Sequence, residues 1–250
     1  MTKTKLFEEF VALYPLWRDT CLGRKDSAKK EADFLIQIFQ SYNSLQTIID
    51  LGGGVGLHAS VLAQEGYFVT LLDRSLSALE LAKNRCTAIL CIPGSFEKIE
   101  LNETFDASIC MWSTLSYITE EMGRVNFYNW INNYTNKLII LDQPNFLLYP
   151  KSYSQTYMGE DERNTIKVIR EWTMSGSIKC THYTIEVHNK YSNKLDLIED
   201  TEYQQYLNVT QLQSYLAKNF RLSNIYGDYD LNEIYKSNES KRCITVFERI

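Results

Sequence analysis

Histidine and proline are scarce in this chain. Its 250 residues include three histidines and four prolines. The histidines stand at 58, 182 and 188, with no HxxxH pair and no neighbouring acid cluster, so they suggest no metal site. Basic charge is short as well: 26 Lys and Arg against 31 Asp and Glu give a net charge of −5. That balance argues against a nucleic-acid backbone as the main partner, because phosphate binding needs a basic surface. Six cysteines (Cys21, Cys86, Cys91, Cys110, Cys180 and Cys243) are spread singly, without a CxxC pair. They read as small buried hydrophobes in a reducing compartment, with a metal site or disulfide framework as the alternative. No apolar run approaches the ~20 residues that span a bilayer. The opening MTKTKLFEEF carries acids where a signal peptide needs an apolar core. The expectation is a cytoplasmic protein with no membrane partner. A P-loop is excluded, because GxxxxGK[ST] is missing.

The apolar residues that are present change rhythm along the chain. Phe7, Phe10, Val11, Tyr14 and Trp17 recur at helical spacing, and Ala32, Leu35, Ile36 and Phe39 repeat it, so residues 1–46 read as helical with a polar break at CLGRKDS. Short apolar runs then alternate with helical stretches. Strands are expected at Thr47–Leu51, Phe68–Leu72, Ala88–Ile92, Phe105–Met111 and Lys137–Leu141, with Ser75 capping one of the helices between them. That alternation predicts an α/β fold with a doubly wound parallel sheet. Residues 163–207 break the pattern with β-rich segments parted by Ser-Gly and Ser-Asn turns, an antiparallel insert after the fifth strand. The stretch Asn145–Asp161 reads as a linker. Residues 208–250 return to helix and strand, with Thr210 as the expected cap and a late hairpin completing the sheet. One domain is expected: a cap at 1–46, a core at 47–145, the insert, and the C-terminal segment.

Asp50-Leu51-Gly52-Gly53-Gly54-Val55-Gly56 is the strongest chemical signal. Glycines let the chain turn sharply and let a ligand lie against bare backbone, and the helix that follows aims its N–H groups at the same spot. Gly54–Ala59 also fits the dinucleotide pattern G-x-G-x-x-G/A, which keeps an NAD(P)-dependent oxidoreductase in play. Two features weigh against it. The turn already begins at Gly52, and the Asp50 carboxylate on the strand end repels a pyrophosphate while suiting a cation or ammonium group. Asp73 ends the next strand, where it can accept bonds from both hydroxyls of a ribose, or stand as a solvated strand-end acid.

The run IIDLGGGVG with Asp73 resembles the first motif and acidic loop of class I S-adenosylmethionine-dependent methyltransferases. Pro93-Gly94-Ser95-Phe96 stands where that family has a Gly-Asp-Phe-type turn at the adenine, with Ser95 in place of the acid. Phe105–Tyr117 is similar to its fourth motif, and Leu141–Asn145 and Tyr226–Tyr229 to the end of its fifth strand and its last turn. The resemblance covers nearly the whole chain and is strongest to the small-molecule branch, which includes amino-sugar N-methyltransferases and glycine N-methyltransferase-like enzymes. It implies a Rossmann-like fold under a helical cap and a β insert. It also implies S-adenosyl-L-methionine held by Tyr14, Asp50, Gly52, Gly53, Gly54, Asp73, Arg74, Ser95, Phe96, Met111, Trp112 and Ser113. Trp17 is expected nearby, and Lys25 and Lys29 are candidates for the cofactor carboxylate.

The expected reaction is methylation of a small-molecule acceptor, with an amine favoured. Peptide methylation, O-methylation and a non-catalytic cofactor-binding module are the alternatives. An amine needs alignment and water exclusion more than a strong base. Candidate catalytic groups are Tyr14, Tyr117 and His182, with His188 on the same strand face as His182 and His58 read as structural. Tyr153, Tyr157 and Trp172 are candidates for the acceptor pocket. Oligomeric state is open, with a homodimer as one candidate.

Overall fold

A computed structural model describes residues 5–8, 10–21, 27–96 and 98–250. The chain opens with a short helix, α1 (Lys5–Glu8), then a continuous helical run. This run passes from a 3-10 turn (Val11–Leu13) through α2 (Tyr14–Leu16) into a π-turn (Trp17–Cys21). Helix α3 (Ser27–Gln40) follows; its buried residues Ala28, Ala32, Leu35 and Phe39 fall three or four apart, one apolar stripe on the core.

The core alternates as expected. Strands β1 (Thr47–Leu51), β2 (Phe68–Asp73), β3 (Leu90–Pro93), β4 (Phe105–Cys110) and β5 (Thr135–Pro144) are linked by α4 (Leu57–Gln64), α5 (Leu76–Arg85) and α6 (Glu121–Tyr134). Ser75 caps α5, its hydroxyl accepting the Ala78 N–H at 3.2 Å. After the insert come α7 (Val209–Leu216), β10 (Phe220–Tyr226) and β11 (Arg242–Arg249). They join one seven-stranded sheet in the order β10-β11-β5-β4-β1-β2-β3. β11 runs antiparallel to both of its neighbours, so the late hairpin is present. Helix α7 is capped by Asn208 rather than Thr210. Asn208 and Gln211 form a reciprocal capping box, which satisfies two end groups where Thr210, already inside the helix, can satisfy neither.

Two cores flank this sheet. On one face Phe34, Leu35 and Phe39 pack on Ile48, Leu71, Ile109 and Ile140; on the other Phe127, Tyr128 and Ile131 pack on Ile49, Leu51 and Leu141. Strands buried on both faces explain the unbroken apolar runs read from the sequence.

The insert is a separate four-stranded antiparallel meander of β6 (Ser152–Glu160), β7 (Asn164–Ser175), β8 (Ile178–Asn189) and β9 (Leu195–Gln205). It begins earlier than expected: much of Asn145–Asp161, read as a linker, is β6. SYSQTYMGE lacks aliphatic residues and its strand is largely exposed, so it carries little apolar period to detect. One half of the inner face is apolar, with Ile166, Val168, Ile185, Val187 and Ile198 against Leu16 and Trp17 of the cap. The two ends of the insert are tied by one side chain: the Gln143 amide donates to the Leu207 carbonyl, and the Leu207 N–H donates back to Gln143 Oε1 at 3.4 Å.

Candidate functional site

The carboxyl ends of β1, β2, β3 and β4 surround one cavity, roofed by Phe7, Val11 and Tyr14 of the cap. The glycine turn forms its floor. Gly52 donates its N–H to the Leu72 carbonyl at 2.7 Å, and Gly56 closes a tight turn onto the Gly53 carbonyl at 3.0 Å. Gly52, Gly54 and Gly56 hold φ of +67°, +55° and +72°, where a side chain is strained. A Cβ at Gly53 would stand 2.5 Å from Asp50 Oδ2. The turn is therefore glycine-rich partly to make room for that carboxylate.

Asp50 is fully buried, and neither carboxylate oxygen has a hydrogen-bond partner among the described residues. Burial pushes its pKa up to about 6; the His58 ring opposes that shift and the Asp73 carboxylate adds to it. An unpaired buried carboxylate is costly unless a cation meets it. Asp73 stands across the turn, its Oδ2 accepting the Gly54 N–H (2.9 Å) and its Oδ1 the Ser75 N–H (2.8 Å). Burial raises its pKa, and these two N–H bonds work the other way. An ionised carboxylate offers about four acceptor sites, so these N–H groups do not exhaust it.

Behind Asp50 lies a polar layer that sequence reading missed. Glu31 of α3 is 2% exposed and accepts the Trp112 indole N–H at 2.5 Å, with His58 Nε2 2.7 Å from the same oxygen. Burial disfavours a charged His58, but Glu31 together with the Asp50 and Asp142 charges outweighs it, and the net pKa is raised. Trp112 and Ser113 both hold left-handed φ, +52° and +68°. Such conformations cost on the order of 1–3 kcal/mol each and persist where the surroundings fix them. Asp142 fixes these. Its carboxylate accepts the Trp112 N–H (2.8 Å) and its carbonyl the Ser113 N–H (3.0 Å). It is itself held by Tyr229 (2.8 Å) and by Arg242 through two nitrogens (2.9 and 2.5 Å).

The cavity brings together Tyr14, Asp50, Gly52, Gly53, Gly54, Asp73, Arg74, Ser95, Phe96, Met111, Trp112 and Tyr117. Arg74 also bridges to Glu8 of α1 at 3.3 Å, tying cap to core beside the site. Ser113 lies behind the wall rather than in it. His182 is displaced by strand alternation: it points to the exposed face of β8, with Nδ1 2.8 Å from Thr201 Oγ1, and His188 shares that outer face. His58, read as structural, does line the cavity. Tyr153 and Trp172 stack at 3.9 Å within the insert, apart from the cavity, as is Tyr157. Trp17 is buried edge-on to Tyr183. Lys25 lies outside the described residues, and Lys29 is exposed and paired with Asp33. Among the described cap residues Arg18 is a buried cation outside the cavity lining, paired with Asp19 and with its guanidinium carbon 5.6 Å from the Trp112 ring centroid. Its Nη1 has no hydrogen-bond partner among the described residues. No sequence period distinguishes Arg18, because it belongs to the π-turn, where one extra residue shifts the helical face.

Residues 48–131, the segment that carries β1 to α6 and most of the cavity wall, match the family described as a methyltransferase domain. That segment is similar to a methyltransferase domain, and its fold is the class I fold. A curated relative, the mitochondrial ubiquinone biosynthesis O-methyltransferase of Schizosaccharomyces pombe, is 34% identical over 88 residues, which is 32% of this chain and 32% of that protein. The chain thus spans about a third of the curated relative's length. Similar solved structures extend over nearly the whole fold. An S-adenosylmethionine-dependent methyltransferase from Clostridium acetobutylicum matches with a TM-score of 0.79 at 14% identity, covering 96% of this chain and 97% of that one. An amino pentose methyltransferase from Micromonospora echinaspora matches at 0.74 and 16%, covering 97% of each. A sugar N-methyltransferase from a Streptoalloteichus species matches at 0.77 and 13%, covering 91% and 90%. The fold, with its cap and its insert, is thus shared along nearly the full chain.

Proposed function

We infer that this protein is an S-adenosylmethionine-dependent methyltransferase that methylates the nitrogen of a small amine. The observation that carries the cofactor assignment is the Asp50 carboxylate, fully buried at the glycine turn and unpartnered. A methionine ammonium supplies the missing charge and hydrogen bonds, whereas a pyrophosphate would meet a like charge there. The other residues fit the same cofactor. Asp73 has acceptor capacity left for ribose hydroxyls, and Ser95 and Phe96 flank a place for adenine. Bound S-adenosylmethionine supplies an activated methyl group on a sulfonium, with a neutral leaving group. The protein's share is to hold the acceptor in line and exclude water. The aromatic roof of Phe7, Tyr14, Trp112 and Tyr117 provides the exclusion.

An amine acceptor requires no strong base; His182 faces away from the cavity, and His58, which lines it, is held by Glu31. The amino-sugar activities named for two of the similar structures favour nitrogen; the curated relative's name favours oxygen as a second reading. The acidic net charge agrees with a small-molecule partner rather than a nucleic acid.

Isothermal titration with S-adenosylmethionine, S-adenosylhomocysteine and NADPH tests the cofactor, and binding of NADPH alone would overturn the assignment. Methyl transfer from labelled cofactor to paired amine and phenol panels tests the attacked atom. Labelled phenols with unlabelled amines would move the reading to oxygen.

A further inference from the structure

The inner face of the insert carries a buried carboxylate that neither the cofactor site nor the apolar core uses. Glu202 of β9 is 3% exposed. It accepts two phenol protons, from Tyr117 Oη at 2.7 Å and from Tyr183 Oη at 2.9 Å. Lys179 of β8, 2% exposed, shares this inner face, with the rings of Tyr149, Trp172 and Tyr206 5.7 to 5.8 Å from its ammonium. Tyr117 alone of these residues also lines the cofactor cavity.

An ionised carboxylate has no proton to give, so each phenol that meets it must spend its own. The Tyr117 oxygen then has only lone pairs for any other partner. Burial, and next the Glu202 charge, raise the Tyr117 pKa well above its ordinary 10, so the phenol stays protonated and this arrangement holds. The negative charge behind the phenol polarises its oxygen further.

We propose that Glu202 is a positioning residue that turns Tyr117 into a pure hydrogen-bond acceptor at the cavity, selecting an acceptor molecule that presents an N–H. This rests on the reading of the cavity as a methyltransferase site. In the transfer, the nitrogen lone pair forms the N–C bond as the methyl carbon leaves sulfur. The nitrogen keeps its protons and gains the positive charge, and the sulfur leaves neutral. The polarised Tyr117 oxygen faces that growing charge. A carboxylate or phenolate acceptor would meet lone pairs instead and be disfavoured.

Sinefungin tests this without knowledge of the acceptor. It is an adenosyl analogue with a protonated amine on the carbon that replaces the methyl-bearing sulfur. Wild type, Glu202→Gln and Tyr117→Phe are each titrated with sinefungin and with S-adenosylhomocysteine. In Glu202→Gln the amide N–H donates to one phenol and frees that phenol's proton. In Tyr117→Phe the oxygen is gone. The expected result is a fall of about tenfold in the preference for sinefungin over S-adenosylhomocysteine in both variants, as for loss of a hydrogen bond to a charged group. In Glu202→Gln, affinity for S-adenosylhomocysteine itself is expected to stay within about twofold of wild type, a readout that a merely structural role for Glu202 would not spare. An unchanged preference overturns the proposal. Should Glu202→Gln fail to fold by circular dichroism, Tyr117→Phe decides alone. Wild type that binds neither compound would instead overturn the cofactor reading, and the proposal with it.

Discussion

Asp50 and Asp142 are two aspartates at the carboxyl ends of strands that flank β4, both essentially without solvent exposure. Asp142 is saturated: Arg242 by two nitrogens, the Tyr229 hydroxyl and the Trp112 N–H all donate to its carboxylate. Asp50 has no hydrogen-bond partner among the described residues. A protein that can surround one carboxylate with four donors and leaves its neighbour bare has kept the second for something that arrives later. Burial alone does not mark a functional acid; burial without partners does.

Four changes would break or sharpen that contrast. The largest effect is expected at Asp142. Asp142→Ala strands the buried Arg242 guanidinium and frees the strained Trp112-Ser113 pair, so unfolding in urea should require about 3–5 kcal/mol less. Loss of less than about 1 kcal/mol would show that water replaces the partner. At Asp50 the sign should reverse. Its folded pKa of about 6 lies above the ordinary 3.8, so the folded state binds the proton more tightly and carries a penalty above pH 6. That penalty fades as pH falls toward 4. Asp50→Asn should therefore stabilise the cofactor-free protein at pH 7, by up to about 3 kcal/mol, while weakening S-adenosylmethionine binding. A thermal melt of this variant below wild type would sink the idea that the carboxylate is held at a cost.

Asp73 is intermediate, half-used by backbone N–H groups. Asp73→Ala should weaken S-adenosylmethionine binding by about 1–3 kcal/mol, measured by calorimetry. The smallest effect is on pH. With Asp50 titrating near 6, S-adenosylmethionine affinity should fall about fourfold on lowering the pH to 5.5, if binding requires the ionised form. Flat affinity between pH 7 and 5 would mean that the ammonium does not meet Asp50.

The cavity floor was largely legible because its signals are local. Asp50, the glycines and Asp73 stand at strand ends, and a parallel sheet brings strand ends together whatever the rest of the chain does. The polar layer behind them was not legible. Glu31 and Trp112 are 81 residues apart, Tyr117 and Glu202 are 85, and Asp142 and Arg242 are 100. No periodicity couples residues at such separations. His182 failed for another reason: alternation placed it correctly with His188 on one face of β8, but nothing in the strand said which face would be buried. Strand β6 was missed because SYSQTYMGE packs few apolar atoms. Arg18 was missed because a π-turn has no repeat to read.

The Gln143–Leu207 pairing gives the fold a modular grammar. One amide holds both ends of the meander at its base, so the sheet between them is a cassette whose entry and exit are fixed independently of its contents. Strands β6 to β9 can lengthen, shorten or change their inner face without moving β5 or α7. The glycine turn and Asp73 lie outside the cassette, and Glu202, which accepts from Tyr117 of the cavity wall, lies within it. On the function proposed above, exchange of the cassette would change the acceptor and leave the cofactor site in place, and a laboratory graft across 144–206 is the engineering form of that exchange.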